Sequence, residues 1–125
     1  MSGIERIQSA FNTAKSQGQA AFMPYLPVGY PDLPTSLDLF QALADAGADL
    51  IEVGAPFSDP LADGPTIQAA TQQALAHGVT SADCLATVRA LRGRGASPYR
   101  TAACLRFLAT KGSPTRNSAF DSSSF

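Results

Sequence analysis

Apolar side chains recur at helical spacing in four stretches of the first 92 residues. In the first stretch, residues 3–16, they are Ile4, Ile7, Phe11 and Ala14, and Gly18 is placed to end the helix. A second helix is predicted to begin at a cap formed by Thr35 or Ser36 and to end at Gly47. The last two helices are predicted over residues 65–77 and from Thr80 or Ser81 to about residue 92.

Two short apolar runs lie between these helices. Residues 21–28 and 49–54 are bounded by turn residues and predict buried strands, although Pro24 and Pro27 weaken the first. The order is helix, strand, helix, strand, loop, helix, helix. Strands that alternate with helices indicate parallel βαβ units, so the predicted fold class is α/β.

Length limits what this α/β pattern can form. The chain has 125 residues, whereas a complete (β/α)₈ barrel needs roughly 250. With 45% hydrophobic residues, the chain is able to bury a core. The most apolar run, residues 20–28, is too short to cross a bilayer, and no basic and apolar leader is visible at the N-terminus. A membrane partner is therefore not expected.

The formal charge of −1 hides a division of the chain near residue 92. Residues 1–92 carry nine acidic and four basic side chains, and residues 93–125 carry five basic and one acidic. The second segment is also rich in serine, which predicts a poorly ordered tail. A basic tail sometimes binds nucleic acid, but this one has no recognisable motif or spaced aromatic residues, so no nucleic-acid partner is expected.

Cysteine usage excludes two further classes. Cys84 and Cys104 stand far apart, and His77 is the only histidine. The sequence therefore predicts neither a zinc site nor a disulfide framework. Two isolated thiols fit a reducing compartment, and the expected location is the cytoplasm.

Glu52 is the unusual residue of the second strand. Its neighbours Ile51 and Val53 favour burial, whereas a carboxylate does not. It lies near the end of the strand, where ligands bind in α/β proteins. Partial burial generally favours the protonated form of a carboxyl group, which suits proton transfer near neutral pH. The alternative is a glutamate at a solvent-facing edge.

The loop after this strand holds two more carboxylates, Asp59 and Asp63. Each has a structural explanation as well as a chemical one. Asp63 is followed by Gly64 and Pro65, which is a common way to begin a helix, so it fits an N-terminal cap. Asp59 precedes a proline and fits a turn. Tyr25, at the end of the first strand, fits a core position better than a ligand wall.

Taken as continuous sequence, these residues resemble the tryptophan synthase alpha chain family. The resemblance rests on the run ADLIEVGAPFSDPLADGPTIQ, residues 48–68, and on FMPYLPVGYPD, residues 22–32. It covers about residues 3–92, which is far longer than a single glycine-rich fingerprint. It implies the N-terminal part of a TIM barrel, incomplete here, with about two parallel strands and flanking helices over residues 1–92, followed by an unmatched segment over residues 93–125.

The resemblance also implies an activity. The family is a lyase of tryptophan biosynthesis that cleaves indole-3-glycerol phosphate to indole and glyceraldehyde 3-phosphate. It implies that Glu52 is the general acid and base, that Asp63 accepts a hydrogen bond from the indole N–H, that Tyr25 lines the indole pocket, and that Asp59 takes part in loop closure. The alpha chain has no cofactor of its own. It is expected to pair with a beta chain, which carries pyridoxal phosphate, as an α₂β₂ tetramer.

The resemblance weakens after residue 92. No apolar third strand is recognisable in residues 96–103, and the late barrel loops that bind phosphate are not recognisable either. The alternative reading is a truncated or frameshifted, inactive fragment that keeps at most its beta-chain contacts. On the sequence, little or no lyase activity is expected of this chain by itself.

Overall fold

The computed structural model describes residues 2–58 and 62–94, together with the backbone of residues 102–106. The three strands of this part form one parallel sheet in the order β1-β2-β3. The elements in chain order are α1 (Gly3–Ser16), β1 (Tyr25–Pro27), α2 (Leu33–Asp45), β2 (Leu50–Gly54), α3 (Pro65–Ala76), α4 (Ser81–Gly93) and β3 (Ala102–Arg106).

Strand β3 corrects the expectation that no third strand follows residue 92. It pairs in parallel with β2 along its whole length, from Leu50 opposite Ala102 to Gly54 opposite Arg106. The run that forms it, AACLR, is short and apolar except for its last residue, and it lies mostly beyond residues 96–103, where the third strand was expected. The pairing partner, 52 positions earlier, satisfies the strand's backbone groups.

One face of the sheet holds the core. Val28, Ile51 and Val53 are fully buried there, against α2, α3 and α4. The helical side chains that complete the core include Phe40, Ala74, Cys84, Val88 and Leu91. Because side chains alternate along a strand, Glu52 and Gly54 belong to the opposite face of β2. The core with α2, α3 and α4 therefore lies on the other side of β2 from Glu52, whose own face also carries the buried Leu50.

The start of α2 differs from the prediction. Asp32 is its N-cap, and its Oδ1 accepts a hydrogen bond from the Thr35 N–H at 2.8 Å. Ser36, one of the two predicted caps, instead lies fully buried inside the first turn of the helix. Its hydroxyl accepts a hydrogen bond from the Gly29 N–H at 3.0 Å, which anchors the turn after β1. The helix therefore begins earlier than predicted, and the Ser36 hydroxyl bonds to the preceding turn instead of capping the helix.

The other helix boundaries follow the prediction closely. Thr80 caps α4 and forms a capping box with Asp83. Gly18, Gly47 and Gly78 follow the ends of α1, α2 and α3 with positive φ, as expected for residues that end helices. Helix α1 forms as predicted, but of its apolar stripe only Ala14 is buried, while Ile4 is 67% and Phe11 48% exposed. No helix in the described residues is long and apolar enough to cross a membrane.

Candidate active site

Glu52 lies at the centre of β2, between the fully buried Ile51 and Val53. Its own side chain is half-buried and belongs to the face of the sheet away from the helices. Its backbone N–H donates to the Pro24 carbonyl at 2.9 Å, so the strand is held firmly at this point. The carboxylate is therefore fixed by a central strand but is not enclosed in the core, which suits a group that must meet a ligand.

Tyr25 is placed beside Glu52 by the sheet. The two residues are direct partners in the parallel pairing of β1 and β2. Partners in a parallel pair point to the same face, so the phenol and the carboxylate share the side away from the helices. Tyr25 is half-buried, which corrects the expectation that it belongs to the core. An aromatic ring beside a carboxylate offers a planar surface and a proton donor or acceptor at one place.

The ring of Tyr25 lies across Gly54. A Cβ atom added to Gly54 would overlap Tyr25 Oη and would lie 2.6 Å from its Cζ and 2.8 Å from its Cε2. Gly54 is two residues beyond Glu52 on the same face of β2. The tyrosine therefore covers the carboxyl end of this strand, next to the catalytic candidate.

Asp63 does not cap α3. The N-cap of α3 is Gly64, and no side chain makes a capping hydrogen bond there. The Asp63 backbone carbonyl accepts a hydrogen bond from Gln68 Nε2 at 2.7 Å, and its side chain is half-buried. The structure therefore does not support the interpretation of Asp63 as the N-terminal cap of α3. Asp63 stands in the loop between β2 and α3, the loop that leaves the carboxyl end of the strand carrying Glu52.

Asp59, the fourth candidate, lies outside the described residues. The structure therefore brings Tyr25 and Glu52 side by side and puts Asp63 on the loop that follows the same strand. Among the described residues, no group of three or more His, Cys, Asp or Glu side chains is arranged to hold a metal ion.

Sequence reasoning did not single out Gly54 or Asp49. A glycine inside a strand commonly marks a close approach by another group, and this signal was available at Gly54. Asp49 accepts a hydrogen bond from the Phe22 N–H at 2.9 Å and so joins the start of β1 to the start of β2. No local pattern identifies that bond, because its two residues are 27 positions apart.

Comparison with known proteins decides the family. The model for the tryptophan synthase alpha chain matches residues 11–114, which is most of the chain. The chain belongs to the tryptophan synthase alpha chain family. The tryptophan synthase alpha chain of Chloroflexus aggregans is 56% identical over 91 residues, which are 73% of this chain and 34% of that relative.

Solved structures of tryptophan synthase have the same fold over this part. The aminoacrylate-bound form of tryptophan synthase from M. tuberculosis superposes with a TM-score of 0.71 at 43% identity, over 80% of this chain and 40% of that one. Tryptophan synthase subunit alpha from Legionella pneumophila str. Paris gives 0.74 at 35% identity, over 84% and 38%. The predicted partial TIM barrel is confirmed, with three described strands instead of two.

The chain spans about a third of the length of the curated relatives that it matches. The family model reaches residue 114, beyond the boundary near residue 92 at which the sequence resemblance was judged to end. The division into residues 1–92 and 93–125 remains a prediction.

Proposed function

We propose that this tryptophan synthase alpha family chain supplies the acid–base and indole-contacting residues for retro-aldol cleavage of indole-3-glycerol phosphate. The observation that carries the proposal is the pairing of Tyr25 with Glu52. A half-buried carboxylate at the centre of β2 stands beside an aromatic ring whose tip reaches Gly54, the residue at the carboxyl end of that strand. In TIM barrels, the carboxyl ends of the strands are where catalytic residues act.

The chemistry needs two proton movements at neighbouring atoms. Protonation of the indole ring at C3 makes the ring an electron acceptor. The hydroxyl on the adjacent glycerol carbon then loses its proton. The bond between C3 and that carbon breaks, its electron pair returns to the indole ring, and an aldehyde forms. A single carboxyl group gives the first proton and takes the second, and Glu52 has the position for both transfers.

Asp63 fits the charge that this reaction develops. Protonated indole is a cation with its positive charge shared by the ring nitrogen. A carboxylate that accepts a hydrogen bond from the N–H stabilises that cation more than it stabilises neutral indole, which lowers the barrier. Its place in the β2–α3 loop, free of a capping role, supports this assignment. Asp59 is proposed to act in closure of the same loop.

The partner proposed for the chain is a beta chain in an α₂β₂ assembly. That beta chain carries the pyridoxal phosphate, and no cofactor is assigned to this chain. Cytoplasmic location stays a prediction from cysteine usage. Phosphate binding in TIM barrels commonly involves the loops after strands 7 and 8, and the described residues hold three strands. The 125-residue chain alone is therefore expected to release indole far more slowly than a full-length relative.

The test is a graft. Residues 3–92 of this chain replace the matching segment of the full-length Chloroflexus aggregans alpha chain, and indole release from indole-3-glycerol phosphate is measured. The chimera is expected to be active, and Glu52→Gln in it to lower kcat by at least about a hundredfold, the usual contribution of general acid–base catalysis. Glu5→Gln, on the exposed first turn of α1, is the matched control and should leave kcat unchanged. A folded chimera whose rate is insensitive to Glu52→Gln would contradict the proposal.

The alternative function is that of a non-catalytic fragment that keeps beta-chain contacts. It predicts that the 125-residue chain binds a beta chain and yields no indole. Measurement of binding and indole release on the same preparation separates the two readings.

A further inference from the structure

The contact between Gly54 and Tyr25 points to a residue that shapes the site without taking part in the chemistry. The overlap that a Cβ atom would create at Gly54 involves the Tyr25 ring, and no other atom is among its nearest contacts. The φ angle of Gly54 is not positive, so its backbone conformation is one that any residue adopts. The absence of a side chain at this position therefore makes room for the Tyr25 ring.

We propose that Gly54 is a positioning residue that allows the Tyr25 ring to lie flat across β2 and form the wall on which the indole ring of the substrate rests. This inference deepens the proposed function and rests on it. Tyr25 and Glu52 are partners in adjacent strands, and Gly54 is the next residue of β2 on their face. A ring held over Gly54 stands on the same face of the sheet as Glu52, one strand position away from it. If the ring is pushed away from Gly54, it no longer forms that wall.

The expected response to a methyl group at Gly54 is movement of the ring. Tyrosine has only two side-chain torsions, and the overlap reaches back from Oη to Cζ and Cε2, so a small shift of the ring tip does not relieve it. The ring must change its rotamer. Since Tyr25 is only half-buried, it is able to swing outward, and the strand pairing survives. The substitution should therefore disturb the site more than it disturbs folding.

The test uses the full 125-residue chain with ring-labelled tyrosine and indole as the probe. The chain has three tyrosines, Tyr25, Tyr30 and Tyr99, so the NMR spectrum is simple, and Tyr25→Leu assigns the Tyr25 signals. The variants are Gly54→Ala, Tyr25→Leu and the double variant. Gly93→Ala is the matched control, because a Cβ at Gly93 meets no atom within 4 Å.

In the unsubstituted protein, the Tyr25 ring should show nuclear Overhauser contacts to the Gly54 α-protons, and indole should shift the Tyr25 signals. Gly54→Ala should move those signals without ligand and weaken indole binding about three- to tenfold, the range expected for loss of one aromatic contact. Tyr25→Leu should weaken binding by a similar factor. The double variant should bind as Tyr25→Leu does, within about twofold, because the ring through which Gly54 acts is gone.

Three results would overturn the inference. The first is indole binding unchanged by Gly54→Ala. The second is a double variant that loses the product of the two single effects. The third concerns folding: if Gly54→Ala does not fold, the double variant must fold again, and its failure to do so would place the strain elsewhere than at Tyr25. An unsubstituted protein with the ring contact but no response to indole would overturn the proposed function, and the ligand role of Gly54 with it.

Discussion

Asp49 and Phe22 are joined by two hydrogen bonds that set the register of the first two strands. The Asp49 carboxylate accepts from the Phe22 N–H at 2.9 Å, and the Asp49 N–H donates to the Phe22 carbonyl at 3.0 Å. Three residues further along each strand, Tyr25 stands opposite Glu52. A side chain at the amino end of the sheet thus helps to place Tyr25, the first residue of β1, opposite Glu52 at the centre of β2.

Asp49→Ala should lower the free energy of unfolding by about 1–2 kcal/mol, since it removes a hydrogen bond between a backbone N–H and a charged acceptor. Urea unfolding followed by circular dichroism measures this. Asp45→Ala is the control, because within the described part of the chain the Asp45 carboxylate bonds to Gln41 of its own helix, and this contact should contribute less than about 0.5 kcal/mol. Equal losses in the two variants would show that the bond to Phe22 does not hold the register.

Gly29 and Gly47 form a matched pair that separates the cost of steric overlap from the cost of backbone strain. Their φ angles are similar, +90° and +95°. A Cβ at Gly29 would overlap Val79 Cγ2 and would lie 3.3 Å from Ala74 Cβ, whereas a Cβ at Gly47 meets nothing within 4 Å.

Gly47→Ala should cost about 1–2 kcal/mol of unfolding free energy from backbone strain alone. Gly29→Ala should cost about 1–3 kcal/mol more, because the β-branched Val79 is buried and cannot easily turn away. Thermal or urea unfolding of both variants provides the comparison. A difference below about 0.5 kcal/mol would mean that the turn after β1 is not closely packed on the α3–α4 connection.

Cys84 should lower the stability of the folded protein at high pH. Burial, helped by the charge of Asp83, raises the pKa of the Cys84 thiol from 9.0 to about 11. The folded protein therefore holds this proton more tightly than the unfolded chain, and stability falls as pH rises from about 9 to about 11. Deprotonation also removes the thiol's hydrogen bond to the Thr80 carbonyl.

Urea unfolding between pH 8 and 11, under reducing conditions and in a Cys104→Ala background, should show a steeper decline for the protein with Cys84 than for Cys84→Ala. Parallel curves would show that the thiol does not titrate with the predicted difference between folded and unfolded states.

Asp83 gives the opposite dependence at low pH. The backbone N–H of Thr80, and then its hydroxyl, donate to this carboxylate and hold its pKa below the ordinary value of 3.8. The folded state thus favours the charged form, so the stabilisation is complete above about pH 4 to 5 and is lost as pH falls through the lowered pKa. The difference in unfolding free energy between the unsubstituted protein and Asp83→Ala should narrow from pH 6 to pH 3. Asp83→Asn is the control, because its neutral side chain does not titrate in this range. A difference in unfolding free energy between the unsubstituted protein and Asp83→Ala that stays constant with pH would contradict the lowered pKa of Asp83.

Local rules account for much of the described fold. Hydrophobic periodicity and the positions of turn residues predict the helix spans, the glycines that end the helices and the strand around Glu52. Each of these features depends on residues within a few positions of one another. The run of residues 48–68 likewise identified the family, since it is unbroken in the chain.

Contacts between distant residues decided the rest. β3 exists because β2 offers it a pairing edge. Tyr25 lies outside the core formed with the helices, because the register of β1 on β2 sets it beside Glu52 and over Gly54. These hydrogen bonds and packing contacts join residues that lie tens of positions apart in the chain. They form only when the whole sheet is assembled, so they are not visible in any short stretch of sequence.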